Sequence, residues 1–327
     1  FLCKIYLKYR SMVLTSFIHI FYNLIMFLGF SISSEYNKYV LILDVETYND
    51  IKYAVPYDIS GIIIDNSTGD IIYMFCLLDI DIFTNSSYQN NIYFKDKLPC
   101  YYADIRDKRY KDVDFQFLSK RRLAETLNDI IIKYNISVIV GYNISFDYKS
   151  INRLYDNINK DIKNLKKNYK YYNIDYKTID NTIVNKFKGT NCFDLMQCCL
   201  LLLINNKLLR LQYYLYTIKH QLFTDSGKFL SFTEDTIYKC FVDARHTEQH
   251  QGFKDCLDEN KLLDRFVKQE INRDYFNNIS FYLNEIVSRG NYTENGVLSI
   301  KRALKELKDN DLIDKDYTIE TADFIYK

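Results

Sequence analysis

The run Val40-Leu41-Ile42-Leu43-Asp44-Val45-Glu46-Thr47 sets two carboxylates at the end of an otherwise apolar segment. If that segment is a strand, side chains two apart share a face, so Asp44 and Glu46 project together from the rim of a buried sheet. Two acids there lose hydration and repel each other, a penalty that a divalent cation between them offsets. Taken alone, the spacing also fits a solvated strand end, so the metal reading needs partner acids elsewhere in the chain.

Asp147 is the next candidate, following the turn Asn143-Ile144-Ser145-Phe146. The competing use of an Asp in that setting is as a first-turn helix acid or cap, and Phe146 reads as a core anchor in either case. The third piece is His250-Gln251-Gly252-Phe253-Lys254-Asp255, leading into a segment phased as a helix by Phe253, Leu257 and Lys261. Five positions within one helix turn through roughly 140°, too far for His250 and Asp255 to share a target. A histidine on the lead-in loop, with Gly252 in the turn, can swing over the centre that Asp255 faces. His246 competes for this role, and the spacing to Asp255 favours His250. A surface histidine beside a solvated acid is the alternative for the pair.

The elements that must position these residues follow from periodicity. Two β-branched or aromatic runs, Val55 to Ile64 and Ile71 to Cys76, flank the polar turn Asp65-Asn66-Ser67-Thr68-Gly69-Asp70, which predicts a hairpin. With the opening strand it makes a three-stranded antiparallel unit. Leu118, Leu123, Leu127, Ile130 and Ile131 keep helical spacing over 117–134. A strand over 136–141, a helix, a strand over 192–196 and a long apolar helix near 197–217 come next. Further helices are expected at 234–242 and 253–270. The order β-β-β-α-β-α-β-α predicts an α/β sheet with an antiparallel half and a parallel half. Residues 156–190 read as a Lys/Asn/Tyr-rich insert, and 271–327 as a helical tail or small module centred on 298–307.

In this order and these settings, Asp44-x-Glu46, Asn143-x-x-Phe146-Asp147 and His250-x4-Asp255 resemble the DEDDh superfamily, the ribonuclease H-like, DnaQ-like 3′–5′ exonucleases. The runs Val55-Pro56-Tyr57-Asp58-Ile59 and Phe232-Thr233-Glu234-Asp235-Thr236-Ile237-Tyr238-Lys239 are similar to phage-encoded members. The sister DEDDy group has Tyr four residues before its last Asp; here that position is Gln251, so the His branch matches better. The resemblance spans 39–268. It implies an α/β, ribonuclease H-like mixed five-stranded sheet flanked by helices, forming an exonuclease domain over 39–270. It also implies two Mg²⁺ or Mn²⁺ ions, with Asp44 bridging both, Glu46 and Asp255 on the nucleophile-side ion and Asp147 reaching the second. His250 would be the general base, since imidazole titrates near neutral pH. The implied substrate is the 3′ end of single-stranded DNA, with RNA open, contacted through Thr47, Tyr48, Asn143 and Phe146. A proofreading or recombination role beside a replication polymerase, in a phage-like system, belongs to the same implication.

Composition sets the outer limits. With 43 basic and 42 acidic residues the chain is no histone-like polyelectrolyte, but an acidic metal centre can offset basic contacts elsewhere. The abundance of Ile, Asn, Lys and Tyr matches A/T-rich codons and devalues Lys-based motifs. Thus Lys160, Lys163, Lys166, Lys167 and Lys170, interleaved with Tyr169, Tyr171 and Tyr172, read first as a solvated loop and second as a track for a nucleic-acid backbone. Eight scattered cysteines with no C-x-x-C pair point to free thiols in a reducing, cytoplasmic setting. Residues 12–30 are mostly apolar and follow Lys4, Lys8 and Arg10. An anchor, a packed helix or a non-native extension over 1–38 all fit, with His19 and Asn23 weighing against the anchor. The rival to an enzyme is a membrane-tethered or nucleic-acid-binding protein whose acids coincide by chance.

Overall fold

The computed structural model describes residues 38–48, 54–86, 97–171, 182–247, 249–267 and 290–319. The apolar run 12–30 and residues 172–181 of the Lys/Asn/Tyr-rich stretch lie outside these residues. Among the described residues, no helix is long and apolar enough to cross a membrane.

The opening run forms β1 (Tyr39–Tyr48), followed by β2 (Val55–Asp65) and β3 (Ile71–Asp79). All three pair antiparallel in sequence, as the hairpin pattern predicts. The β2–β3 turn is closed by Asp65, whose carboxylate accepts the Ser67 N–H at 2.8 Å and the Thr68 N–H at 3.3 Å. Then come β4 (Val113–Leu118), β5 (Val138–Gly141) and β6 (Asn191–Asp194), giving the order β4-β3-β2-β1-β5-β6. β5 and β6 run parallel to β1, so β3-β2-β1-β5-β6 is the expected ribonuclease H-like mixed sheet. The sheet nevertheless has six strands, not five. β4 adds to the outer edge, parallel to β3, with Phe115 opposite Cys76. Its last residues, Phe117 and Leu118, fall inside the helical spacing read over 117–134, whereas the helix starts only after Ser119, and Val113 and Phe115 carry no strand assignment from the sequence. An edge strand with one half-exposed face carries too weak a period-two signal to separate from the helix that follows it.

The helices are α1 (Ile80–Thr84), α2 (Leu98–Arg106), α3 (Lys120–Lys133), α4 (Ser145–Tyr171) and α5 (Leu195–Asn205). They continue with α6 (Lys207–Lys219), α7 (Glu234–Phe241), α8 (Gly252–Leu262) and α9 (Ile300–Asp309). The expected long helix near 197–217 is two helices. Asn206 breaks it by turning extended and accepting the N–H groups of Leu208 and Leu209 at 3.0 and 3.2 Å, the capping role that Asn favours.

Strand periodicity sorts β1 between two cores. Leu41, Leu43 and Val45 face one side and pack with Leu123, Leu127 and Ile130 of α3 and Ile151 and Leu154 of α4. Val40 and Ile42 face the other, with Cys199 of α5, Tyr214 of α6, Ile237 of α7 and Cys256 of α8. Asp44 and Glu46 share the parity of Val40 and Ile42, so they emerge on the side covered by α8. The stretch read as an insert begins inside α4, where Ile158 and Ile162 are buried with Ile183 and Phe187 in the first core. The described part of the C-terminal segment is built into the second core through Val297, Leu298, Ala303 and Leu307.

Candidate active site

Three elements bring the acids together, and each is fixed by a tight backbone approach. β5 ends at Gly141, while β1 continues to Tyr48. A Cβ on Gly141 would lie 2.9 Å from the Leu43 carbonyl oxygen and 2.7 Å from the Ile144 side chain, so only glycine lets the strands meet there. The chain then turns through Asn143, whose φ is +59°, and enters α4 with Asp147 in its first turn. Asn is among the few residues that tolerate this left-handed conformation. The backbone N–H groups of Asp147 and Val45 reach the Asp147 carboxylate, which ties the helix start to β1.

α8 is anchored from β2. Asp58 lies opposite Glu46 in the β1–β2 register and is fully buried. It accepts hydrogen bonds from Ser60 Oγ at 2.6 Å, the Gly252 N–H at 3.2 Å and the Tyr101 hydroxyl. A Cβ on Gly252 would sit 3.0 Å from the Ser60 side chain, so the helix start lies hard against the strand. Gly252, Asp255, Cys256, Glu259 and Leu262 are all buried and form the inward stripe of α8. Two acids are therefore carried within a stripe that otherwise packs against the sheet.

The result is a solvent-open cleft of about 500 Å³ lined by Asp44, Glu46, Asn143, Phe146, Asp147, Glu234, His250 and Asp255, with Val45 and Tyr142. Glu46, His250 and Asp255 each offer a ligand atom within 4.8 Å of the others. Burial, with Asp147, Asp255, Glu259 and Glu46 nearby, pushes the Asp44 carboxyl well above its usual range. Burial does the same to Asp147 against its two N–H partners, with Asp194 and Glu46 adding to the effect. Glu46 also rises through burial, opposed by Lys97, whose Nζ stands 2.8 Å from Glu46 Oε2. Burial and, after it, mutual repulsion thus disfavour the charged carboxylates, a penalty that a bound cation would offset. Carboxylate oxygens with one imidazole suit a hard divalent ion such as Mg²⁺ or Mn²⁺.

All five residues singled out as catalytic, Asp44, Glu46, Asp147, His250 and Asp255, line this cleft. His250 is exposed on the lead-in to α8 with a φ of +50°. Its competitor His246 points elsewhere: Nε2 lies 3.4 Å from Asp258 Oδ2, and its ring lies tilted against that of Tyr238 with centroids 4.2 Å apart. Asn143 and Phe146 line the cleft as well. Thr47 and Tyr48 do not. They follow a register shift after Glu46, and Tyr48 packs against the cluster containing Tyr57 and Tyr101. Sequence reasoning passed over Asp58, Lys97 and Glu259. Glu259 alone carried a signal, since it stands one helical turn after Asp255 and so on the same face.

No protein-family model matches the chain, and no curated protein does. Among solved structures, E. coli Exonuclease I in complex with a dA16 oligonucleotide is similar at 12% identity with a TM-score of 0.34. That match covers 70% of this chain and 41% of Exonuclease I, so the chain spans less than half the length of that protein. A likeness this distant carries no argument about chemistry, which rests on the cleft itself.

Proposed function

We propose that the chain is a metal-dependent 3′–5′ exonuclease acting on the 3′ end of single-stranded DNA. The observation that supports it is the meeting of Asp44, Glu46, Asp147, His250 and Asp255 around one open cleft, from three separate parts of the sequence. Asp44, Glu46, Asp147 and Asp255 would hold two Mg²⁺ or Mn²⁺ ions. When bound, such ions supply a more acidic water and charge stabilisation at the phosphate and leaving oxygen.

The chain's own groups do the rest. His250, exposed at the mouth and beside Glu46, accepts the proton of the attacking water on an imidazole nitrogen. Phe146, half-buried in the wall, offers a face on which the terminal base can stack. The exposed Lys160, Lys163 and Lys167 on α4 are free to follow a phosphate backbone. Proofreading or recombination beside a replication polymerase extends this reading through the motif resemblance alone.

The test uses matched DNA and RNA strands labelled at the 3′ or the 5′ end, incubated with Mg²⁺, Mn²⁺ or EDTA. Ion-dependent release of the 3′ label as mononucleotide, faster from DNA, supports the proposal. Preference for RNA moves the substrate to an exoribonuclease's, and absence of cleavage with either ion refutes the nuclease reading.

A further inference from the structure

Glu259 is a carboxylate the proposed chemistry leaves without a task, yet it is 1% exposed and sits one turn beyond Asp255 on α8. One of its oxygens accepts the backbone N–H of Tyr142. Its other oxygen, Oε2, is buried with no hydrogen-bond partner. The next backbone N–H, that of Asn143, donates to Asp194 Oδ1 at 3.2 Å. Asp194 caps α5 through the Gln197 N–H, also at 3.2 Å. Two successive amides of the turn that precedes Asp147 are therefore each gripped by a buried carboxylate, one from α8 and one from the end of β6. Without these acceptors the two N–H groups would have no strand or helix to pair with, because β5 has ended and α4 has not begun.

We propose that Glu259 is a positioning residue that locks the Tyr142–Asn143 turn to α8, and so fixes the spacing between Asp147 and Asp255. The inference rests on the exonuclease reading above. Its geometric basis is that Asp147 follows the gripped amide by five residues while Asp255 precedes Glu259 by one helical turn. The Glu259 bond is thus a short mechanical link between the two acids. Partners that orient ligands in this way typically affect metal affinity or activity by about 10–100-fold when removed.

The experiment compares Glu259→Gln and Glu259→Ala with the unaltered chain. A Gln keeps an acceptor oxygen for the Tyr142 amide; an Ala does not. Three readouts are taken: amide exchange of the 141–147 peptide, Mn²⁺ affinity by calorimetry, and kcat against KM on single-stranded DNA. The expected result is that Glu259→Ala speeds exchange in that peptide, weakens Mn²⁺ binding about 10-fold and lowers kcat about 10–100-fold with little change in KM. Glu259→Gln should stay within about threefold of wild type in all three. Equal losses in both variants would overturn the proposal, because charge and not the acceptor would then matter. Unchanged exchange in Glu259→Ala would overturn it too. If the unaltered chain cleaves nothing, the exonuclease reading fails on its own, while the exchange comparison still decides whether the link exists.

Discussion

Lys97 Nζ lies 2.8 Å from Glu46 Oε2 at the rim of the cleft, with both side chains partly exposed. Lys97 neutralises part of the negative charge that Glu46 would offer a divalent cation. A partly exposed pair is worth roughly 0–1 kcal/mol, so it can compete with an ion only weakly. Lys97→Met should therefore tighten Mn²⁺ binding, by no more than about fivefold, as calorimetry would show. A weakening of Mn²⁺ binding would mean that Lys97 supports the ion site and does not compete with it.

Asp58 should be more costly to remove than any acid in the cleft itself. Its loss in Asp58→Ala strands the Ser60 and Tyr101 hydroxyls and the Gly252 N–H in a dry interior. With about 1–3 kcal/mol for each unsatisfied buried group and partial relaxation, the expected loss is roughly 2–4 kcal/mol in urea unfolding. Asp44→Asn should not lower stability at all, because it removes repulsion among the acids. Equal destabilisation by the two variants would contradict the assignment of separate structural and chemical roles.

Stability without metal should fall as pH rises. Unfolded carboxylates titrate near 4, whereas burial pushes Asp194 up to about 6 and Asp44, Asp147, Glu46, Asp58 and Glu259 upward as well. Between those limits the folded chain binds more protons than the unfolded one. The contribution is complete below the unfolded values and lost as pH climbs through the folded ones. In EDTA the melting temperature should decrease from about pH 5 to about pH 8, and Mg²⁺ or Mn²⁺ should recover part of the loss at the upper end. A melting temperature that rises over that window would show that burial does not shift these acids upward.

His250 and His246 can be told apart by paired substitutions. His250→Gln should lower kcat by about 10²–10⁴-fold and remove the acidic limb of its pH profile. His246→Gln should leave the profile intact, because that ring is engaged with Asp258 and Tyr238. The opposite pattern would transfer the proton-accepting role to His246.

The parts of this fold that the sequence makes legible are those with a strong local period or a short-range rule. The β1 acids, the Gly69 turn and the amphipathic phase of α3 needed nothing beyond spacing. His250 was separable from His246 by counting to Asp255. What stayed hidden depends on contacts between distant segments. Asp58 reads as one polar residue in an apolar strand until the register sets it against Glu46 and Gly252. Lys97 stands in a stretch without a recognisable pattern. β4 is short, lies at an edge and runs almost directly into α3, so its last residues read as part of the helix and the remainder is too short to show a period. Glu259 could have been found, since a second acid one turn after Asp255 in a buried stripe has no reason to be there unless something holds it.

The shortening of a 5′-labelled single-stranded DNA by the unaltered chain and by Asp44→Asn, with Mg²⁺ and with EDTA, tests the central claim most directly. The account predicts a ladder of products losing one nucleotide at a time from the 3′ end in Mg²⁺. It predicts none in EDTA, and none for Asp44→Asn even where that variant still binds the strand. Wild-type shortening by Asp44→Asn, or shortening that persists in EDTA, would contradict it.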